Sequence, residues 1–143
     1  MILNIRHTGL VVSDLEGALN FWQDLLGFKI KHKMNEFGPA IDAMMGLKNT
    51  HLTTVKLVAP QGGMLELLHF NSHPDIPEWL GKPYSTGFTH IALTVKNLDD
   101  LYQKLTNASF SFPALPQLSK DGSVRVIYCR GPEGILLELV ELL

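Results

Sequence analysis

The chain carries one cysteine, Cys129, in 143 residues. A lone thiol excludes a disulfide framework and a thiolate zinc cluster, and it suits a reducing compartment. Charge of one sign is also lacking. Twelve Lys and Arg stand against 14 Asp and Glu, for a net charge of −2. That balance gives no electrostatic footprint for nucleic acid or for an anionic membrane. No apolar run approaches the ~20 residues that span a bilayer. Residues 1–6 lack the cationic segment and long apolar stretch of a secretory signal. The expectation is a cytoplasmic protein with no nucleic-acid or membrane partner. At 143 residues and 45% apolar content, the chain makes one domain. A domain of this size buries most of its apolar surface without a disulfide or a structural metal.

What the chain does have is a repeat. His7-Thr8-Gly9-Leu10-Val11-Val12-Ser13-Asp14-Leu15 returns as His90-Ile91-Ala92-Leu93-Thr94-Val95-Lys96-Asn97-Leu98, at an offset of 83. Pro60-Gln61-Gly62-Gly63-Met64-Leu65-Glu66-Leu67 returns as Pro132-Glu133-Gly134-Ile135-Leu136-Leu137-Glu138-Leu139, at an offset of 72. A repeat of this length is settled before local structure is read. It divides the chain into a module over about residues 1–70, a linker over about 71–86 and a module over about 87–143. The linker carries Pro74, Pro77, Gly81 and Pro83.

The first module reads β-α-β-β-β. Residues 5–12 are a strand, and Ser13 and Glu16 form a capping box. Leu15, Ala18, Leu19, Trp22 and Leu26 follow at helical spacing, and Gly27 stands where a left-handed residue ends a helix. Strands are expected at 28–33, 51–58 and 64–70, with residues 35–50 as an insertion. In the second module the strands fall at 88–95, 109–112, 124–130 and 135–142. Asn97 caps a helix that carries Leu98, Leu101, Tyr102 and Leu105 on one face. Phe37, Met44 and Met45 read as packing residues rather than a flap.

Each module thus sets one His and one Glu in apolar strand text. A carboxylate between Leu65 and Leu67, or between Leu137 and Leu139, is costly to bury alone. A divalent ion relieves both, and imidazole nitrogen completes its shell. His7, Glu66, His90 and Glu138 are therefore the candidate metal ligands. Two imidazoles and two carboxylates without thiolate suit Zn, Ni, Co, Mn or Fe. Four protein ligands leave one or two positions for water or substrate. His32, His51, His69 and His73 fall outside the pattern and read as surface or loop residues, with His69 facing away from Glu66.

These motifs resemble the vicinal oxygen chelate superfamily, which includes glyoxalase I, methylmalonyl-CoA epimerase, extradiol dioxygenases and bleomycin-binding proteins. The resemblance covers the whole chain. It is carried by His7 and the Val-x-Asp-Leu after it, by Asp24-Leu25-Leu26-Gly27-Phe28, and by Leu65-Glu66-Leu67. The second module adds residues 90–95, Gly131-Pro132-Glu133-Gly134 and Leu137-Glu138-Leu139. The resemblance implies an α+β fold of two tandem βαβββ modules in a half-open barrel around one divalent metal. It also implies a small-molecule substrate and a homodimer. Four filled ligand positions favour a glyoxalase- or epimerase-type lyase or isomerase. Such an enzyme moves a proton through a metal-stabilised enolate, with Glu66 or Glu138 as base. The alternatives are a non-haem iron extradiol-type dioxygenase and a metal-free binding protein. Tyr128, ten residues before Glu138, is where the dioxygenases carry a hydrogen-bonding Tyr, but core packing is the preferred reading. Glu36 reads as a surface-loop residue, and Arg125 and Arg130 as possible anchors for a carboxylate or phosphate.

Overall fold

The computed structural model describes residues 1–78 and 81–143. Two compact units divide the chain, Met1–Pro77 and Glu78–Leu143. The first contains β1 (Thr8–Val11), α1 (Leu15–Leu19), β2 (Lys29–Phe37), α2 (Pro39–Met45), β3 (His51–Val58) and β4 (Met64–Phe70). The second contains β5 (Ile91–Val95), α3 (Leu98–Asn107), β6 (Gln117–Leu118), β7 (Val124–Arg130) and β8 (Leu136–Leu142). Each unit builds one four-stranded sheet, in the orders β1-β4-β3-β2 and β5-β8-β7-β6. The first and last strands of each unit pair in parallel, and the remaining neighbours are antiparallel. The class is α+β, and neither sheet closes on itself. Among the described residues no helix is long and apolar enough to cross a membrane.

The first helix starts one residue later than the sequence suggests. Asp14, not Ser13, is the N-cap, and its Oδ1 accepts from Gly17 N at 2.9 Å. A Cβ at position 17 would run into the Asp14 carboxylate and displace the capping side chain. After Leu19 the helix widens into a π turn, Asn20–Leu25, with Leu26 N donating to Phe21 O at 3.1 Å. Phe21 and Trp22, both within the wider turn, are buried side by side. Trp22 meets Phe21 and Phe28 edge-on at 5.4 and 5.2 Å. Gly27, at φ 79°, closes the turn as expected.

Three further expectations change. β2 runs on to Phe37, so the insertion begins inside a strand and then forms α2 instead of a loop. Residues 109–112 are not a strand. Ser109 takes a left-handed φ of 68°, and β6 is only two residues long, after Pro113 and Pro116. Phe37 and Met44 lie outside the core, being 74% and 73% exposed, although the Phe37 ring meets His51 edge-on at 5.9 Å.

Along β4 and β8 the burial alternates with strand period. Leu65 and Leu67 are buried, as are Leu137 and Leu139, while Glu66 and Glu138 occupy the opposite faces. Trp22→Ala is expected to cost about 3–5 kcal/mol, read as a shifted urea midpoint with an unchanged slope. Cys129 is 2% exposed, and burial pushes its thiol up to about 11. The neutral thiol is favoured by the fold, so its stability contribution is full below the ordinary thiol value near 9. It is lost as pH rises toward 11. Chemical denaturation from pH 8 to 11 should show that fall, and Cys129→Ala should flatten it.

Candidate metal centre

In each unit the parallel strand pair sets the geometry. Glu66 lies opposite Gly9 and Glu138 opposite Ala92. β1 and β5 begin later than the expected residues 5 and 88, so His7 and His90 stand one residue ahead of their strands, and their rings reach the two carboxylates. His7 Nε2 is 3.1 Å from Glu66 Oε2, and His90 Nε2 is 3.2 Å from Glu138 Oε2. The four side chains are partly shielded, at 28% and 14% exposure in the first pair and 35% and 24% in the second.

Two atoms bound to one ion at ~2.1 Å and separated by 90–109° lie ~3.0–3.4 Å apart. Both pairs have the separation of adjacent ligands on one ion. The donor chemistry fits as well, with a ring nitrogen and a carboxylate oxygen in each unit. Two donors are too few to hold an ion. Among the described residues no group of three or more His, Cys, Asp or Glu that could hold a metal ion is formed. Each unit presents one imidazole and one carboxylate. The imidazoles differ behind the site. His90 Nδ1 has Thr89 Oγ1 at 2.9 Å, whereas His7 Nδ1 is buried without a hydrogen-bond partner.

The strand beside each Glu adds one more residue. Lys56 on β3 faces Glu66, with Nζ 3.5 Å from Oε1. Tyr128 on β7 faces Glu138. Its ring stands edge-on to His90 at 5.5 Å, and its hydroxyl donates to the Glu138 carboxylate. Burial first, then the Glu138 charge and that hydrogen bond, hold the Tyr128 phenol above its ordinary value. Tyr128 belongs to the site rather than to plain core packing. Lys56 escaped the sequence reading, although the 72-residue offset aligns it with Tyr128.

Other sequence expectations resolve differently. Glu36 is not in a surface loop. It is a half-buried residue of β2, and its Oε2 accepts from Thr54 Oγ1 at 3.2 Å. His69 is half-buried on β4, with Nδ1 3.1 Å from Val12 O, and it faces away from Glu66 as expected. His32 and His51 are exposed strand residues, and His73 lies beyond β4 with its Nδ1 2.8 Å from Ser72 Oγ. Of the two arginines, Arg125 is engaged by carboxylates. Arg125 forks onto Asp99 at 2.8 and 2.5 Å and reaches Glu141 at 3.4 Å. Arg130 donates to Gly134 O and Gly81 O.

A family model described as the glyoxalase/bleomycin resistance protein/dioxygenase superfamily matches residues 4–139. The chain belongs to that superfamily. A solved glyoxalase family protein of Bacillus cereus is 26% identical, with a TM-score of 0.91, covering 100% of this chain and 96% of its own. A probable lactoylglutathione lyase of Synechocystis is 24% identical over 140 residues, 96% of this chain and 94% of that protein. The fosfomycin resistance protein FosX of Listeria monocytogenes, solved with Mn(II) and sulfate, shares the fold. Its TM-score is 0.66 at 15% identity, with 99% and 93% coverage.

In this superfamily member Glu141 also accepts from Leu98 N at 3.1 Å. Arg125, Asp99 and Glu141 therefore tie the start of α3 to β7 and β8. Arg125→Met is expected to speed hydrogen exchange at the first turn of α3. Unchanged exchange there would refute the tie.

Proposed function

We propose that this protein is a metal-dependent lyase or isomerase of the glyoxalase/epimerase kind. It acts on a small carbonyl or acyl-thioester compound by moving a proton beside the carbonyl. The observation that carries the reading is the twin His–Glu pair, repeated at one register and one spacing in both units. His7, Glu66, His90 and Glu138 are the proposed ligands of one divalent ion, Zn, Ni, Co, Mn or Fe. When bound, that ion supplies Lewis-acid polarisation of the substrate's carbonyl oxygen.

The chain's own residues do the rest. His7 and His90 fix ring nitrogens beside the carboxylates. Glu66 Oε2 faces His7 while Oε1 faces Lys56, so this carboxylate has a second oxygen directed away from the imidazole. Glu66 or Glu138 takes the proton next to the carbonyl and returns it to the same or the neighbouring carbon. Met64 and Leu68 flank Glu66 on its face of β4 and limit water there. The lyase relative in Synechocystis and the manganese in FosX support this reading. We place the protein in the cytoplasm as a homodimer, and the exposed Phe37 and Met44 suit an association surface.

Tyr128 favours one second reading, an extradiol-type dioxygenase using non-haem iron, because its hydroxyl and ring sit against Glu138 and His90. A metal-free binding protein would have no use for two intact His–Glu pairs. The test combines elemental analysis with deuterium exchange from solvent into 2-oxo compounds and acyl thioesters. Chelation should abolish exchange, and Glu66→Gln or Glu138→Gln should slow it ~10²–10⁴-fold. Exchange that survives chelation, or that survives in both variants, defeats the proposal. Turnover that requires Fe²⁺ and O₂ selects the dioxygenase.

A further inference from the structure

The repeat aligns Thr89 with Arg6, each one residue before its histidine. The two imidazoles therefore have different support. Each ring turns Nε2 toward a carboxylate oxygen of its own unit, at 3.1 Å for His7 and 3.2 Å for His90. An ionised carboxylate only accepts, so in a neutral ring so placed Nε2 carries the hydrogen and Nδ1 is bare. Behind His90, Thr89 Oγ1 lies 2.9 Å from Nδ1. Behind His7, Nδ1 is buried, and among the described residues it has no hydrogen-bond partner.

Donation to a cation reverses these roles. Nε2 gives up its hydrogen to expose a lone pair, and a neutral ring then carries that hydrogen on Nδ1. A hydroxyl both donates and accepts, and it rotates to suit. Thr89 Oγ1 donates to the bare Nδ1 of His90 and accepts from it once the hydrogen sits there. His90 thus changes tautomer with no group left unsatisfied. His7 has no such partner. Its change of tautomer creates a buried N–H with nothing to receive it, which costs free energy. Arg6 could not serve, because a guanidinium carries donors only. A ligating histidine ordinarily donates its second ring N–H to a partner of this kind, and one of the two here lacks it.

We propose that Thr89 is a positioning residue that makes His90 the stronger of the two imidazole donors, and that His7 is the weaker. This rests on the metal-centre reading and deepens it. Thr89 acts through the His90 ring, by the one hydroxyl.

The test uses the full chain labelled with nitrogen-15 in histidine, with zinc as the probe. In metal-free protein with neutral rings, His90 Nδ1 should show the shift of a hydrogen-bonded acceptor, and His7 Nδ1 that of a bare one. Thr89→Val should move the His90 signal to the His7 value, and Thr89→Ser should return it. Zinc affinity of the same samples should fall ~10–100-fold in Thr89→Val and recover in Thr89→Ser. His90→Ala should lose more zinc affinity than His7→Ala. Equal losses in the two alanine variants overturn the proposal, as does a His90 Nδ1 shift that Thr89→Val leaves in place. If the wild type takes up no zinc, the metal-centre reading falls by itself. The metal-free shifts then decide on Thr89, and a His90 Nδ1 signal equal to that of His7 ends the inference.

Discussion

The parallel pairing of the first and last strands in each βαβββ unit is the constraint on which the site depends. A parallel ladder fixes both direction and register along the strand. Here it sets Glu66 against Gly9 and Glu138 against Ala92, two residues beyond the respective histidines. A slip of one residue would turn each Glu to the helix side, among Leu65 and Leu67 or Leu137 and Leu139. That side is where the apolar core holds the register. The catalytic proposal is therefore anchored by residues with no chemistry of their own.

Much of this was legible because duplication repeats signals that are weak singly. Two histidines and two glutamates at matched positions identified the pairs, and strand alternation identified their face. The cap of α3 at Asn97 was also readable, since its side chain accepts from Asp100 N as the motif requires. The π turn was not. Leu15, Ala18, Leu19, Trp22 and Leu26 keep ordinary helical spacing, so the apolar pattern does not mark the widened turn. The full length of β2 was hidden as well. Its outer residues are mostly exposed, so they carry no apolar alternation to mark the strand. Glu36 was misplaced for that reason.

The two His–Glu pairs were half legible. Their residue types and register came from the repeat, but the facing strand supplied Lys56 and Tyr128, and pairing between strands is not written in either one alone. The difference between them matters chemically. One unit places a cation beside its carboxylate and the other a neutral hydroxyl, so the two halves of a duplicated framework are no longer equivalent donors. Arg125 teaches the converse. An exposed arginine on a strand looks available for an anion, yet Asp99 and Glu141 engage it.

The nine-residue β2 forms the outer margin of its sheet, with backbone groups on one side unclaimed by any neighbour in that sheet. Lys29, Lys31 and Lys33 recur along it at every second position. An incoming copy of the same strand would bring like charges into opposition and desolvate them. Lysines on an edge strand are a common device against adding further strands, and these three take no part in the His–Glu pairs.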